Sequence, residues 1–252
     1  MSAKNPLRFS LDVIYYPLLF VILIWGVFWV EIYFGIRFTK WGVYPLQWEG
    51  LKGILFSPFI HGSLKHLFNN SIPLLVLSMS LFYFYRNIRW KVLILGILFT
   101  GFLTWCIGRP SWHIGASGVI YMLAAFLFFK GIFSKQYQLT ALSLLVVFLY
   151  GGLIWYLFPV KPEISWEGHS AGFIVGFTLS LIFKKNPIEN KKYEWEKEDF
   201  NPENDPFLKH FDEAGNFIET LPPQDTLETN NETNTIVKVV YNFKKKDKGK
   251  GV

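Results

Sequence analysis

Six uncharged apolar runs follow one another along the chain: Val13–Val30, His66–Tyr85, Val92–Gly108, Pro110–Phe129, Gln136–Val160 and Gly168–Phe183. They hold 16 to 25 residues each. A helix needs about 20 to cross the hydrocarbon core. Backbone in lipid must satisfy its own hydrogen bonds, so runs of this length predict helices rather than irregular chain. The last run is short and suits a helix with little tilt or a locally thin bilayer. Phe contributes 26 residues and Trp 10, a surplus that fits lipid-facing surface and interfacial belts. The first run is too long for the core of a signal peptide and no small-residue cleavage site follows it, so no cleavable leader is expected. Cys106 is the single cysteine. It has no intramolecular disulfide partner and reads as packing.

Where the charges fall matters more than the net charge of +6. No basic stripe with interleaved aromatics marks a nucleic-acid partner. With the N-terminus inside, Lys4, Arg8, Arg86, Arg89, Lys91, Lys130, Lys135, Lys184, Lys185, Lys191 and Lys192 share the cytoplasmic side. The opposite side holds Arg37, Lys40, Lys52, Lys65, Arg109 and Lys161. The positive-inside rule then places both termini in the cytoplasm, as an even span count requires. The long first external loop carries Trp41, Tyr44, Trp48, Phe56 and Phe59 and is expected to fold back onto or into the outer leaflet. Beyond Lys185 the chain turns polar. It is expected to be a mostly disordered cytoplasmic tail, with Thr235–Tyr241 a short strand candidate and a lysine-rich end. The predicted organisation is therefore an all-α membrane protein. A six-helix transmembrane domain spans residues 8–185, and a largely disordered tail spans 186–252.

The polar residues inside the runs are not scattered. In this topology the second, fourth and sixth runs begin on the outer side, and their first turns carry His66 and Asn70, Ser117 and Tyr121, and His169. His66 and Asn70 lie one helical turn apart and share a face, as do Ser117 and Tyr121, whose face continues through Ala124 and Ala125. His169, Gly172 and Gly176 form one stripe, and the glycine spacing permits close backbone approach. If that stripe faces the alanines, His169 meets Ser117. A serine hydroxyl needs a base to take its proton, and a neutral imidazole suits that task. No Asp or Glu is expected at the same depth, which predicts a dyad in which Tyr121 packs on the imidazole and holds its tautomer. Asn70, His66 and the Ser117 amide are the candidate oxyanion donors. No metal or cofactor is called for. His113 reads as a structural or loop residue and His210 as incidental.

Taken together, His61-Gly62-Ser63-Leu64-Lys65-His66-Leu67-Phe68-Asn69-Asn70, Gly115-Ala116-Ser117-Gly118 with Tyr121, and Gly168-His169 with Gly172 and Gly176 resemble the rhomboid intramembrane serine proteases over roughly residues 8–185. The resemblance implies Ser117 as nucleophile, His169 as general base, His66 and Asn70 at the oxyanion site, Tyr121 beside the imidazole, and His61 as a structural residue near the cavity mouth. It also implies cleavage of peptide bonds within or beside the transmembrane helix of membrane-anchored proteins, in a bacterial inner membrane, with the site opening outward. The family's Trp-Arg pair in the first loop is replaced by Trp48-Glu49, and the acidic residue after its second span by Tyr85-Arg86. The alternative is an inactive rhomboid-like protein that binds membrane helices as a chaperone or adaptor.

Overall fold

The computed structural model describes residues 9–134, 136–183, 193, 195, 198–212 and 214–218. The chain divides into two compact units, Met1–Lys191 and Lys192–Val252. Among the described residues the first unit contains α1 (Asp12–Phe34), α2 (Gly53–Phe56), α3 (Leu64–Phe84), α4 (Arg89–Ile107), α5 (Ser117–Phe133), α6 (Tyr137–Tyr150) and α7 (Trp166–Ile182). Each of the six apolar runs thus forms a helix. Among the described residues four stretches are long and apolar enough to cross a membrane: α1, α3, α4 and Tyr137–Leu157. α5 and α7 are shorter, at 17 residues each.

The fourth apolar run begins at Pro110, and its helix begins at Ser117, which therefore stands in the first turn. Pro110 has no N–H to donate, and the residues after it direct their backbone bonds elsewhere. His113 pairs with Val43 in an isolated antiparallel bridge, and the Gly115 N–H donates to the Ser57 carbonyl at 2.8 Å. The fifth run is α-helical to Tyr150 and then tightens into a 3₁₀ segment over Gly151–Leu157. The change falls at Gly151-Gly152, a pair of poor helix formers.

The first loop is a folded substructure of short helical turns between α1 and α3. Its Leu46 N–H donates to the Trp105 carbonyl at 3.1 Å, and the Trp105 indole N–H donates to the Gln47 carbonyl at 3.0 Å. Glu31, buried in the last turn of α1, accepts from the Phe38 N–H at 2.6 Å and fixes the start of the loop. Trp48 stands almost wholly exposed.

α5 is the central helix and packs against α3, α4, α6 and α7. Its Met122, Leu123, Phe126 and Leu127 are completely buried. α1 packs on α3, where the Trp25 indole donates to Ser71 Oγ at 2.9 Å. The α5–α7 contact is a seam of backbone. A Cβ added at Gly172 would fall on the Gly118 carbonyl oxygen, and one at Gly176 on the Met122 carbonyl oxygen. The glycine stripe was expected to face Ala124 and Ala125. It meets Gly118, Met122 and Ala125 instead, while Ala124 is half-buried and borders a groove toward α6.

In the second unit the described residues include a small turn. Phe211 and Phe217 form an antiparallel bridge, and the Asp212 carboxylate accepts from the Asn216 N–H at 2.7 Å. Sequence reading had not placed order there. Thr235–Tyr241, the predicted strand, lies outside the described residues.

The seam predicts an asymmetry between glycines. Gly172→Ala should destabilise the protein by about 1–3 kcal/mol through overpacking. Gly26→Ala, whose added methyl meets nothing within 4 Å, should stay within about 0.5 kcal/mol of the parent. Thermal unfolding in detergent tests this; equal midpoints for the two variants would mean that the helices are free to separate.

Candidate functional site

Ser117 opens α5 and His169 lies in the first turn of α7, so the glycine seam brings the two side chains together. Ser117 Oγ stands 2.9 Å from His169 Nε2. The other ring nitrogen, Nδ1, lies 2.9 Å from the Tyr156 carbonyl oxygen. A carbonyl only accepts, so Nδ1 carries the proton and Nε2 is left to accept from the serine hydroxyl. The Tyr121 ring stacks on the imidazole, with centroids 4.2 Å apart and planes 12° from parallel. Its hydroxyl donates to the Leu153 carbonyl at 2.7 Å. Tyr121 thus lies flat on the ring, while the tautomer is set by the Tyr156 carbonyl, which sequence reading missed. A backbone carbonyl leaves no mark in residue type. The only available signal was the pair of poor helix formers, Gly151-Gly152, shortly before it.

His66 and Asn70 lie in α3 beside Gly115, in the turn that precedes Ser117. Ser63 caps that helix, its Oγ accepting from the His66 N–H at 3.1 Å. Asn70 is buried, and its side-chain amide donates to the His66 carbonyl at 3.0 Å. Gly115 has φ +108°, a backbone conformation that L side chains avoid. The place its Cβ would occupy lies 2.6 Å from the His66 ring and 3.8 Å from the Asn70 amide nitrogen. Both candidate donors thus lie against the turn just before Ser117. α5 begins with no side-chain cap, which leaves amide N–H groups of its first turn for a ligand.

His61 is fully buried, and its Nε2 accepts from the Ala116 N–H at 3.4 Å. Burial, reinforced by the nearby His66, pushes its pKa down to about 3. The ring is therefore a neutral acceptor that anchors the turn from behind.

Further polar residues gather at the heads of these helices. His113, read as a structural or loop residue, is buried and bonded to Ser165 and Arg109. Glu167 is 2% exposed in the first turn of α7, which corrects the expectation that no carboxylate lies at this depth. Its ion-pair partner is Arg109, and Nδ1 of His169 is bonded to Tyr156. The opposite charges of Arg109 and Glu167 at the heads of same-side runs were the signal available in sequence.

A cavity of about 40 Å³ reaches Ser117 and is lined by Thr100, Thr104, His113, Ser165 and Gly168 among others. A water fills roughly 10–15 Å³ on that measure, so two or three fit beside the hydroxyl. Among the described residues no cluster of three or more His, Cys, Asp or Glu side chains is arranged to hold a metal.

Comparison with known proteins adds to this geometry. Residues 48–186 match the Rhomboid domain. An uncharacterized protein of Mycobacterium bovis is 38% identical over 176 residues, covering 66% of this chain and 72% of the relative. An uncharacterized protein of Mycobacterium tuberculosis matches to the same extent. A third, from Mycobacterium leprae, is 34% identical over 157 residues, covering 56% of this chain and 59% of its own. With more than half of its length matched by that domain, the chain belongs to the rhomboid family.

Proposed function

We propose that this protein is an intramembrane serine endopeptidase that cleaves transmembrane or juxtamembrane peptide bonds of membrane-anchored proteins. The observation that carries the proposal is the 2.9 Å approach of Ser117 Oγ to the unprotonated nitrogen of His169, with the opposite nitrogen held by Tyr156. In this reading all six long helices cross a bacterial inner membrane, and the charge distribution favours cytoplasmic termini and an outward-facing site.

The chemistry follows from the atoms present. His169 Nε2 takes the Ser117 proton as Oγ attacks the scissile carbonyl carbon. The negative charge forming on the carbonyl oxygen is met by the Asn70 amide, His66 and the amide N–H groups at the α5 N-terminus. The imidazolium then returns its proton to the leaving nitrogen, the C–N bond breaks, and an acyl-Ser117 ester remains. Water, deprotonated by the same imidazole, hydrolyses the ester and restores the hydroxyl. Tyr121 keeps the ring plane fixed throughout, and the Tyr156 carbonyl stabilises the transient positive charge.

Labelling of the detergent-purified protein by a fluorophosphonate probe tests the proposal. The parent should label, and Ser117→Ala and His169→Ala should not, each remaining folded. A folded parent that does not label would instead favour the helix-binding, inactive alternative. Asn70→Ala should retain partial activity, reduced by about 10²–10³ in rate, the usual loss for one oxyanion donor. Removal of residues 193–252 should leave labelling intact, because Met1–Lys191 is a compact unit containing every group invoked; a silent truncation would place the tail within the machinery.

A further inference from the structure

The glycine seam brings α5 and α7 close, backbone on backbone, and the Phe129 ring of α5 packs edge-on against Phe173 and Phe177 of α7. At the heads of the two helices there is a further link. The loop that leads into Ser117 and the loop that leads into His169 are joined there by one buried imidazole.

His113 is 5% exposed. Its Nε2 lies 3.1 Å from the Arg109 carbonyl, and its Nδ1 lies 2.6 Å from Ser165 Oγ. Because the carbonyl can only accept, the ring proton sits on Nε2 and Nδ1 accepts from the Ser165 hydroxyl. Burial holds the His113 pKa below its ordinary value, so the ring keeps one donor and one acceptor at neutral pH. Ser165 is also the N-cap of α7. Its Oγ accepts from the Gly168 N–H at 3.3 Å, and its carbonyl accepts from the His169 N–H at 3.2 Å. A continuous set of contacts therefore runs from the His113 ring through Ser165 to the backbone of His169.

On its other side the backbone of His113 is paired. Its N–H and carbonyl both pair with Val43, at 2.8 and 3.0 Å, and the chain then runs through Gly115 to Ser117. Arg109 ties down the rest of the loop before α7. Its guanidinium donates to the Pro162 and Ile164 carbonyls at 2.7 and 2.8 Å, and its Nε stands 3.6 Å from Glu167. Arg109 thus holds the loop as a whole, while His113 reaches the cap that carries His169.

We propose that His113 is a positioning residue for the Ser117–His169 pair, acting through Ser165 to set where the head of α7 stands against the head of α5. The proposal rests on the hydrolytic reading above. It assigns His113 no contact with substrate and no part in proton transfer.

The test uses the full chain in detergent and measures fluorophosphonate labelling as a function of probe concentration, which separates the maximal labelling rate from probe affinity. Thermal midpoints are measured in parallel. His113→Leu keeps bulk but loses both ring nitrogens. It should lower the maximal rate by on the order of 10²-fold, the scale of a small misplacement of reacting groups, with affinity and midpoint near the parent's. His113→Asn, whose carbonyl oxygen can still accept from Ser165, should recover most of that rate. Ser165→Ala should match the leucine variant, and the double variant should be no worse than the worse single, as expected for two residues acting as one unit. Parent-like rates in His113→Leu, a loss that tracks the midpoint, or losses that multiply in the double variant would each overturn the proposal. If His113→Leu does not fold, Ser165→Ala decides, and a parent-like rate there overturns it. A folded parent that does not label would sink the hydrolytic reading and this proposal with it, an outcome distinct from a reactive parent with indifferent variants.

Discussion

The contact of α5 with α7 across bare backbone is the constraint on which the site depends. Between helices in lipid there is little hydrophobic drive, so close association comes from van der Waals packing of small residues. Gly172 lies against the Gly118 carbonyl and Gly176 against that of Met122, which is as near as two helices approach. Ser117 precedes Gly118 directly, and His169 lies three residues before Gly172, just above the same contact. Any larger residue in the seam would push the hydroxyl away from the imidazole before touching either. Tyr121 uses the same closeness, one turn into α5, to lie flat on the ring.

The imidazole of this pair and the tyrosine stacked on it are satisfied by neutral partners. Tyr156 and Leu153 offer carbonyl oxygens from the 3₁₀ segment that follows α6. A neutral acceptor on the imidazole avoids the desolvation cost that a buried carboxylate would impose, which runs to several kcal/mol per ion. The charges that do occur nearby, Arg109 and Glu167, are paired with each other at the heads of the helices. The 3₁₀ segment is thus more than a frayed helix end. Its tighter winding turns carbonyls that an α-helix would have bonded internally toward the site.

Much of this was legible in the residues. The apolar runs located the helices, because in lipid length and lack of charge leave few other solutions. The one-turn spacings of His66 with Asn70 and Ser117 with Tyr121, and the stripe of His169 with Gly172 and Gly176, placed the side chains that now meet. What was not legible depended on backbone. The course of the loop before Ser117 is set by the bridge between His113 and Val43 and the bond from Gly115 to Ser57, pairings between segments far apart in sequence. The Tyr156 carbonyl could belong to any residue type. Glu167 was overlooked because it falls just outside an uncharged run, and hydropathy alone does not separate a buried acid there from a loop acid.

Counting α6 together with its 3₁₀ extension to Leu157, the two helices that bear the pair are the shortest of the six apolar stretches. At 17 residues and about 1.5 Å per residue, each is about 25 Å long. A hydrocarbon core is about 30 Å thick. In a spanning arrangement each therefore falls short of the core at one end, and the chain at that end must enter the bilayer to meet it. Such chain carries backbone and side-chain polar groups out of water, where every unpaired one costs free energy. The short helices thus create the demand for buried polar clamps, and the Arg109, His113, Ser165 and Glu167 contacts meet it. Folded loops at the helix heads and polar pairing between those loops then answer to one choice, the length of α5 and α7.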